Sequence, residues 1–522
     1  MKNILILIFV ILILSIEGFA QKETKILSNK KEIGYNLLTK ESIHATELTF
    51  PNRIHDFQFD SIDNSFTIKL RGLSKNGKWL DNKGSVIKYS FKENKILWSK
   101  KIAFQTEDIV QIGGLTLHIT GRKSYCLDNK TGLKKWEVKN SIIFADAVKK
   151  IGIGYKAQAS KKKENLLECI NLENGQVIWQ RNIKRDYGWN NVSYINDSTL
   201  LICASGLHAV SIYNGIGWDY NTITGKKDYT ASVVGSGLGV VVGLLTGTYA
   251  VSTGHNLVRD VVSNIIIDSS SIYFASKEYI VKLNKNGNVI WKTPLPKDLT
   301  SKSLIFKNDN SIVMVNRGYA YMGYRQLDFG KPFIASFEIT NGNQNYLSSI
   351  SNKKKNVIKA IDKNDSILHL IFEDHISKYL INSGALVIDK LFNTKEIGGL
   401  KYFISNQAFI LKDSVFTSLQ KLDSLKNYLY TSNGKVLILN NNLETVSEIE
   451  QGKLYINYLS IDDKKFLAKG SQTYIVDNTG NVRVEFKSSS KSTIINNKLY
   501  SVQEREIIEI DIETLINLNH NN

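Results

Sequence analysis

The chain has 522 residues, 42% of them hydrophobic, with 67 Lys and Arg against 49 Asp and Glu for a formal net charge of +18. That content is enough for a large folded body and excludes a disordered chain; three cysteines imply no disulfide framework. The lysine runs 161–163 and 353–355 have no interleaved aromatics, which argues for a compositional bias toward Lys, Asn and Ile and against a nucleic-acid surface, while an anionic envelope surface or an acidic partner stays open to a basic chain.

Lys2 precedes an apolar run, 4–16, broken only by Ser15, and Gly18 and Ala20 stand at the small-residue positions before a cut at Gln21. Residues 1–20 read as a secretory signal peptide. A membrane anchor is the competing reading, but the run is short for a bilayer of about 30 Å. No cysteine stands at the cut, so a lipid anchor has no acceptor thiol there. The protein is therefore expected to be exported: periplasmic, outer-membrane associated or secreted. Residues 21–50 read as an N-terminal extension and 51–518 as one repeat-built domain.

A period of about 40 residues with strand-like units marks a propeller or solenoid, and such a period is present. Its clear copies are CLDNKTGLKKW at 126–136, CINLENGQVIW at 169–179 and VKLNKNGNVIW at 281–291, each with Gly (Gly132, Gly175, Gly287) four residues before Trp (Trp136, Trp179, Trp291). FKENKILW ends at Trp98 without a glycine. Weaker copies surround Gly225, Gly342, Gly384 and Gly480, with a worn turn near Asn441, and Tyr229 and Tyr346 take the aromatic place in two of them. Each copy reads as a strand, a polar turn closed by a Gly at positive φ, and a second strand. Cys126 and Cys169 share one slot, six residues before the Gly, filled elsewhere by Val281 or Ser336, so a small buried residue is their expected role and reactive or metal-binding chemistry is not.

Counting turns gives nine, plus a final strand-rich stretch, 492–515, that can pair with the first strands and close a ring. The expected fold is all-β: a single β-propeller of about eight blades, with seven or nine as alternatives, two smaller propellers in tandem needing a linker that the sequence does not show. Three or four strands per unit favour a propeller over a solenoid, and only four prolines suit a chain of paired strands.

One segment breaks the pattern. Residues 230–254 carry no charge, and Gly235, Gly239, Gly243 and Gly247 recur at every fourth position. That spacing predicts a helix with a glycine face suited to close backbone packing. A bilayer-spanning helix is long enough, but it would put the flanking repeats on opposite sides of a membrane. A pair of short helical arms dipping into one leaflet, or an insertion helix packed on the protein's own face, avoids this. Just before it, Trp218 and Tyr220 read either as part of a partner or membrane contact together with the four glycines, or as ordinary blade packing.

The hairpins resemble the tryptophan-docking repeats of quinoprotein dehydrogenase-like propellers, known as pyrroloquinoline quinone-like repeats. The resemblance covers most of 96–486 and implies that Trp98, Trp136, Trp179 and Trp291, with Gly132, Gly175 and Gly287, lock neighbouring blades structurally. The enzymes of this group hold a quinone with a metal ion, an Asp base and a vicinal disulfide, and no Cys-Cys pair occurs here. Asp462 with Asp463, Glu509 with Asp511, and His369 with His375 are scattered acids and histidines without ligand spacing. No catalytic or metal site is expected, and no cofactor, pyrroloquinoline quinone being the alternative. The general architecture is most similar to outer-membrane assembly propellers, without their lipid-bearing cysteine. The expected function is a non-catalytic interaction scaffold at the cell envelope, bound to another envelope protein or the membrane surface. A quinone-dependent dehydrogenase with degenerate signatures and a polysaccharide-binding or lyase-like propeller are the alternatives.

Overall fold

A computed structural model describes residues 26–516 apart from 158–164, 185–190, 205, 223–238, 244–247, 253–260, 297, 323–324, 351–356, 408–409, 413–418, 422–425, 454 and 478–480. The segment expected to be a signal peptide, and the turns at Gly225 and Gly480, lie outside the described residues. Among those described, nearly everything is antiparallel strand, with two short helices at Thr394–Ile397 and Ile512–Ile516. No described helix is long and apolar enough to cross a membrane.

The chain divides into two compact units. The first comprises residues 1–104 and 457–522 with the turn 129–132. Its strands β1 (Leu27–Asn36) and β2 (Ser42–Thr49) belong to a nine-stranded sheet, and β3 (Arg53–Asp60), β4 (Ser65–Leu73), β5 (Leu80–Ser90) and β6 (Lys95–Ala103) form a four-stranded meander. The nine-stranded sheet is two meanders joined by β1. One is built from Ile456–Ile461, Lys464–Lys469, Gln472–Val476 and Val482–Lys487; the other from Ser492–Ile495, Lys498–Gln503, Glu506–Asp511 and β2. Thus the stretch 492–515 does pair with the first strands, Thr46 lying opposite Glu509. Residues 21–50, read from the sequence as an extension, supply two strands of this sheet, because β1 bridges Val482–Lys487 and β2. Gly34 permits the bridge: a Cβ there would lie 2.0 Å from the Glu485 carbonyl oxygen. Apolar faces of consecutive meanders close on each other, through Phe466, Ile475, Phe486, Leu499 and Ile508 in one cluster and Phe50, Phe66, Tyr89, Tyr500 and Ile507 in the next.

The second unit, 105–128 and 133–456, contains seven further meanders in chain order, each sharing a buried apolar cluster with the next. Sheets buried on both faces, each in turn against its sequence neighbour, are the construction of β-propeller blades, and the fold class is all-β of that kind. The described residues make ten four-strand meanders, against the eight blades expected. Seven of the nine turns read from the sequence close a described hairpin, those at Gly225 and Gly480 lying outside the described residues, and the final stretch completes the tenth meander.

The glycine-rich segment is not helical where it is described. Gly239–Gly243 and Thr248–Ser252 pair as a β-hairpin, and Thr248–Ser252 adds to the first strand of a meander, Asn140–Asp146, making a six-stranded sheet. Gly235 and Gly247 lie outside the described residues. A repeat of four is commensurate with the strand period of two as well as with a helical face, and Val240, Val241 and Val242, branched at Cβ, decide for the strand.

Candidate interaction surface

The repeat turns act on the aromatic residue of the preceding meander. Trp136 donates its indole N–H to the Leu172 carbonyl at 2.9 Å and lies over Gly175. The contact recurs from Trp98 to the carbonyl of Asn129 over Gly132, from Trp179 to Ile212 over Gly215 and from Trp291 to Ile339 over Gly342. Tyr346 repeats it with its hydroxyl, donating to the Ile381 carbonyl over Gly384. At Gly175 the glycine is required twice: φ is +75°, and a Cβ would sit 2.9 Å from the Trp136 ring. In the first meander, Asn94 at φ +49° takes the positive-φ place four residues before Trp98, Asn being the side chain that best tolerates that region.

Trp218 is placed in this series. Its indole N–H donates to the Lys285 carbonyl at 2.9 Å and its ring lies against Gly287. Tyr220 is half-buried, edge-on to Phe274 at 5.5 Å. The turn serving this hairpin is at Gly215, not Gly225, and leaves three residues rather than four to the tryptophan. The hairpin closes through Ser211 and Ile216.

A one-residue bulge stands beside the docking aromatic in several meanders: Ile170 pairs with Val177 but Cys169 with Trp179, so Ile178 is the extra residue. Ile290 and Val387 are the extra residues in two others. A bulge re-aims its strand, and here two consecutive apolar side chains face solvent before the docking position: Val177 with Ile178, Val289 with Ile290, and Leu386 with Val387, all between 43% and 53% exposed. All three pairs lie on strands at the end of their sheets, with one backbone edge unpaired. Ile178 also borders a cavity of about 300 Å³ together with Tyr213, Lys149 and Lys150. This surface carried no motif; its signal was the apolar pair between each glycine and tryptophan, which reads as ordinary strand.

Three of the residues facing docking aromatics are small and buried. Cys126 lies opposite Trp136, Cys169 opposite Trp179 and Ser336 opposite Tyr346. Burial pushes the Cys126 thiol up and that of Cys169 to about 12. Opposite Trp291, however, stands Lys282 and not Val281, because that turn is one residue shorter. Lys88, opposite Trp98, is fully buried and lies 3.4 Å from both Asp60 and Asp63. Burial lowers its pKa, against the pull of the two carboxylates.

The scattered candidates stay apart. Asp462 is a turn residue at φ +50°, Asp463 pairs with Lys464, Glu509 pairs with Lys498 and Asp511 accepts the Glu513 amide. His369 meets Asp362 at 3.2 Å and His375 meets Asp374 at 2.7 Å. Among the described residues no group of three or more His, Cys, Asp or Glu is placed to hold a metal ion.

Residues 79–243, which contain the hairpins of Trp98, Trp136, Trp179 and Trp218, match the family described as outer membrane protein assembly factor BamB. Within that range the repeats are of the pyrroloquinoline quinone-like kind. Among solved structures, BamB from Moraxella catarrhalis is 12% identical, over 73% of this chain and 96% of that one, with a TM-score of 0.32. Sqt1 of Saccharomyces cerevisiae is 10% identical over 79% and 99%, with a TM-score of 0.32, and a eukaryotic initiation factor is 10% identical over 73% and 92%, with a TM-score of 0.38. Likenesses at this identity concern the fold alone. No curated protein matches the sequence.

Proposed function

We propose that this chain is an exported, non-catalytic propeller that serves as a protein-interaction scaffold at the cell envelope, its partner seated on the outer strands of the pyrroloquinoline quinone-like repeats. One observation carries the reading: the pairs Val177–Ile178, Val289–Ile290 and Leu386–Val387 recur at one repeat position on open strand edges. Scattered exposed apolar residues need no explanation, but a repeated array on unpaired edges is the kind of surface that a protein partner covers. The match of 79–243 to an outer-membrane assembly factor supports a partner in the envelope. The test is quantitative cross-linking in intact cells, combined with fractionation, of wild type and the triple variant Ile178→Lys, Ile290→Lys, Val387→Lys. Loss of an envelope cross-link with an unchanged melting curve is the expected result; an undiminished cross-link overturns the assignment of the surface. Alcohol- or sugar-dependent dye reduction after addition of pyrroloquinoline quinone and calcium overturns the non-catalytic reading.

A further inference from the structure

Five tryptophans dock as described, and a sixth does the opposite. Trp79 is 72% exposed. It sits at the tip of the β4–β5 hairpin, whose strands of 9 and 11 residues outrun the 4 to 6 residues usual in the meanders of the second unit. The hairpin stays paired to its end, Leu73 opposite Leu80, and its tip is fixed internally. The Ser74 amide donates to the Trp79 carbonyl at 2.7 Å, the Gly77 amide to the Ser74 carbonyl at 2.7 Å, and the Trp79 amide to Ser74 Oγ at 3.2 Å. Arg71 braces the base, donating to the Asp81 carbonyl at 2.7 Å with its guanidinium 5.0 Å over the Phe104 ring. An exposed indole is thus held on an ordered support, beside exposed Leu73.

The charge at the tip is mainly basic, with Asp81 the nearest acid and Lys69, farther down, paired to Asp56. From 64 to 80 the sequence has Lys69, Arg71, Lys75 and Lys78 and no acid. Lys75 and Lys78 flank the tip, are exposed, and have no acidic partner among the described residues. Open space surrounds Gly72 and Gly77. An amphipathic ring beside two lysines on long apolar stems is the composition that settles at the head-group level of a bilayer, the ring among the acyl-chain ends and the ammonium groups at the phosphates.

We propose that the β4–β5 hairpin is a lipid-contact element that places Trp79, with Lys75 and Lys78, on an anionic membrane surface. Charge complementarity selects that occupant: a protein pocket for one tryptophan does not call for two exposed lysines at the same tip, outnumbering the one nearby acid, Asp81, whereas each basic residue near an anionic leaflet adds attraction. The inference is independent of which protein covers the outer strands.

The test uses the full chain with vesicles of brominated phosphatidylglycerol, and of brominated phosphatidylcholine as the neutral control. The emission of Trp79 is obtained by subtracting the Trp79→Phe variant from wild type, which isolates this hairpin from any other membrane-seeking segment. On anionic vesicles that component is expected to shift to the blue and be quenched, reversibly by salt, while neutral vesicles leave it unchanged. Lys75→Gln and Lys78→Gln each weaken the quenching titration about fivefold. A Trp79 component that remains red-shifted and unquenched on phosphatidylglycerol overturns the proposal, as does equal quenching on phosphatidylcholine. A component that responds only to an added envelope protein assigns the hairpin to protein docking and overturns it too.

Discussion

Gly287 and Trp218 allow the docking contact to be weighed as a coupling. A Cβ at Gly287 would lie 2.4 Å from Trp218 Cδ2 and 2.7 Å from Cε3, and the backbone there is at φ +83°. Placing a side chain at positive φ costs about 1–2 kcal/mol, and forcing a methyl into a filled contact costs about 1–3 kcal/mol. Gly287→Ala is therefore expected to lose about 2–5 kcal/mol. Trp218→Ala alone removes a docked indole and its N–H bond to Lys285, a loss of about 3–5 kcal/mol. In the double variant the ring is gone, so only the backbone cost of about 1–2 kcal/mol remains for the alanine. The coupling of about 1–3 kcal/mol is what the cycle measures. Urea unfolding followed by far-ultraviolet circular dichroism gives the four stabilities. If Gly287→Ala costs the same with and without the indole, the ring does not press on the glycine, and the docking geometry argued for the whole series is wrong.

Two further outcomes follow from burial and charge. All three cysteines are buried, and burial raises the thiols of Cys126 and Cys169; an aromatic disulfide reagent at pH 8 should titrate no thiol in the native protein and three in denaturant. Asp268 is opposed by burial, but Lys307 at 2.5 Å and the amides of Ser270 and Ser271 overcome it and hold the carboxyl at about 2. A depressed folded pKa adds stability that is present above the unfolded value and lost as the pH falls. Asp268→Asn should therefore destabilise by up to about 2 kcal/mol at pH 7, and the gap should narrow as the pH drops from about 4 toward 2. Urea midpoints across that range check it, and a gap independent of pH contradicts the assignment.

How far the sequence could be read depended on whether a turn kept its glycine and its length. Where Gly stood four residues before Trp, as at Gly132 and Gly175, strand pairing and turn were legible, while the docking partner, the glycine turn of the next meander, was not. The Trp218 hairpin was misplaced by ten residues because its spacing is three, and the slot opposite Trp291 was off by one because its turn is shorter. Both errors come from treating a bulged hairpin as a fixed ruler, when the bulge lets the aromatic keep its place while the turn changes length. The glycines at every fourth position read as a helix because periodicity alone cannot part a helical face from a strand face at that interval. Trp79 stood out in no repeat, so the sequence held it without marking it; its meaning appears only once the paired length of β4 and β5 is known.

The seam made by β1 and β2 has a consequence for biogenesis. Arg505 reaches the Phe50 carbonyl across 455 positions of sequence, so β1 and β2 have only each other to pair with until residues 482–511 are delivered. During synthesis or translocation β1 and β2 present bare amide rows and apolar faces, the state in which chains are most prone to misassociate. Removing residues 492–511 is expected to leave the outer edge of β2 in that same open condition permanently.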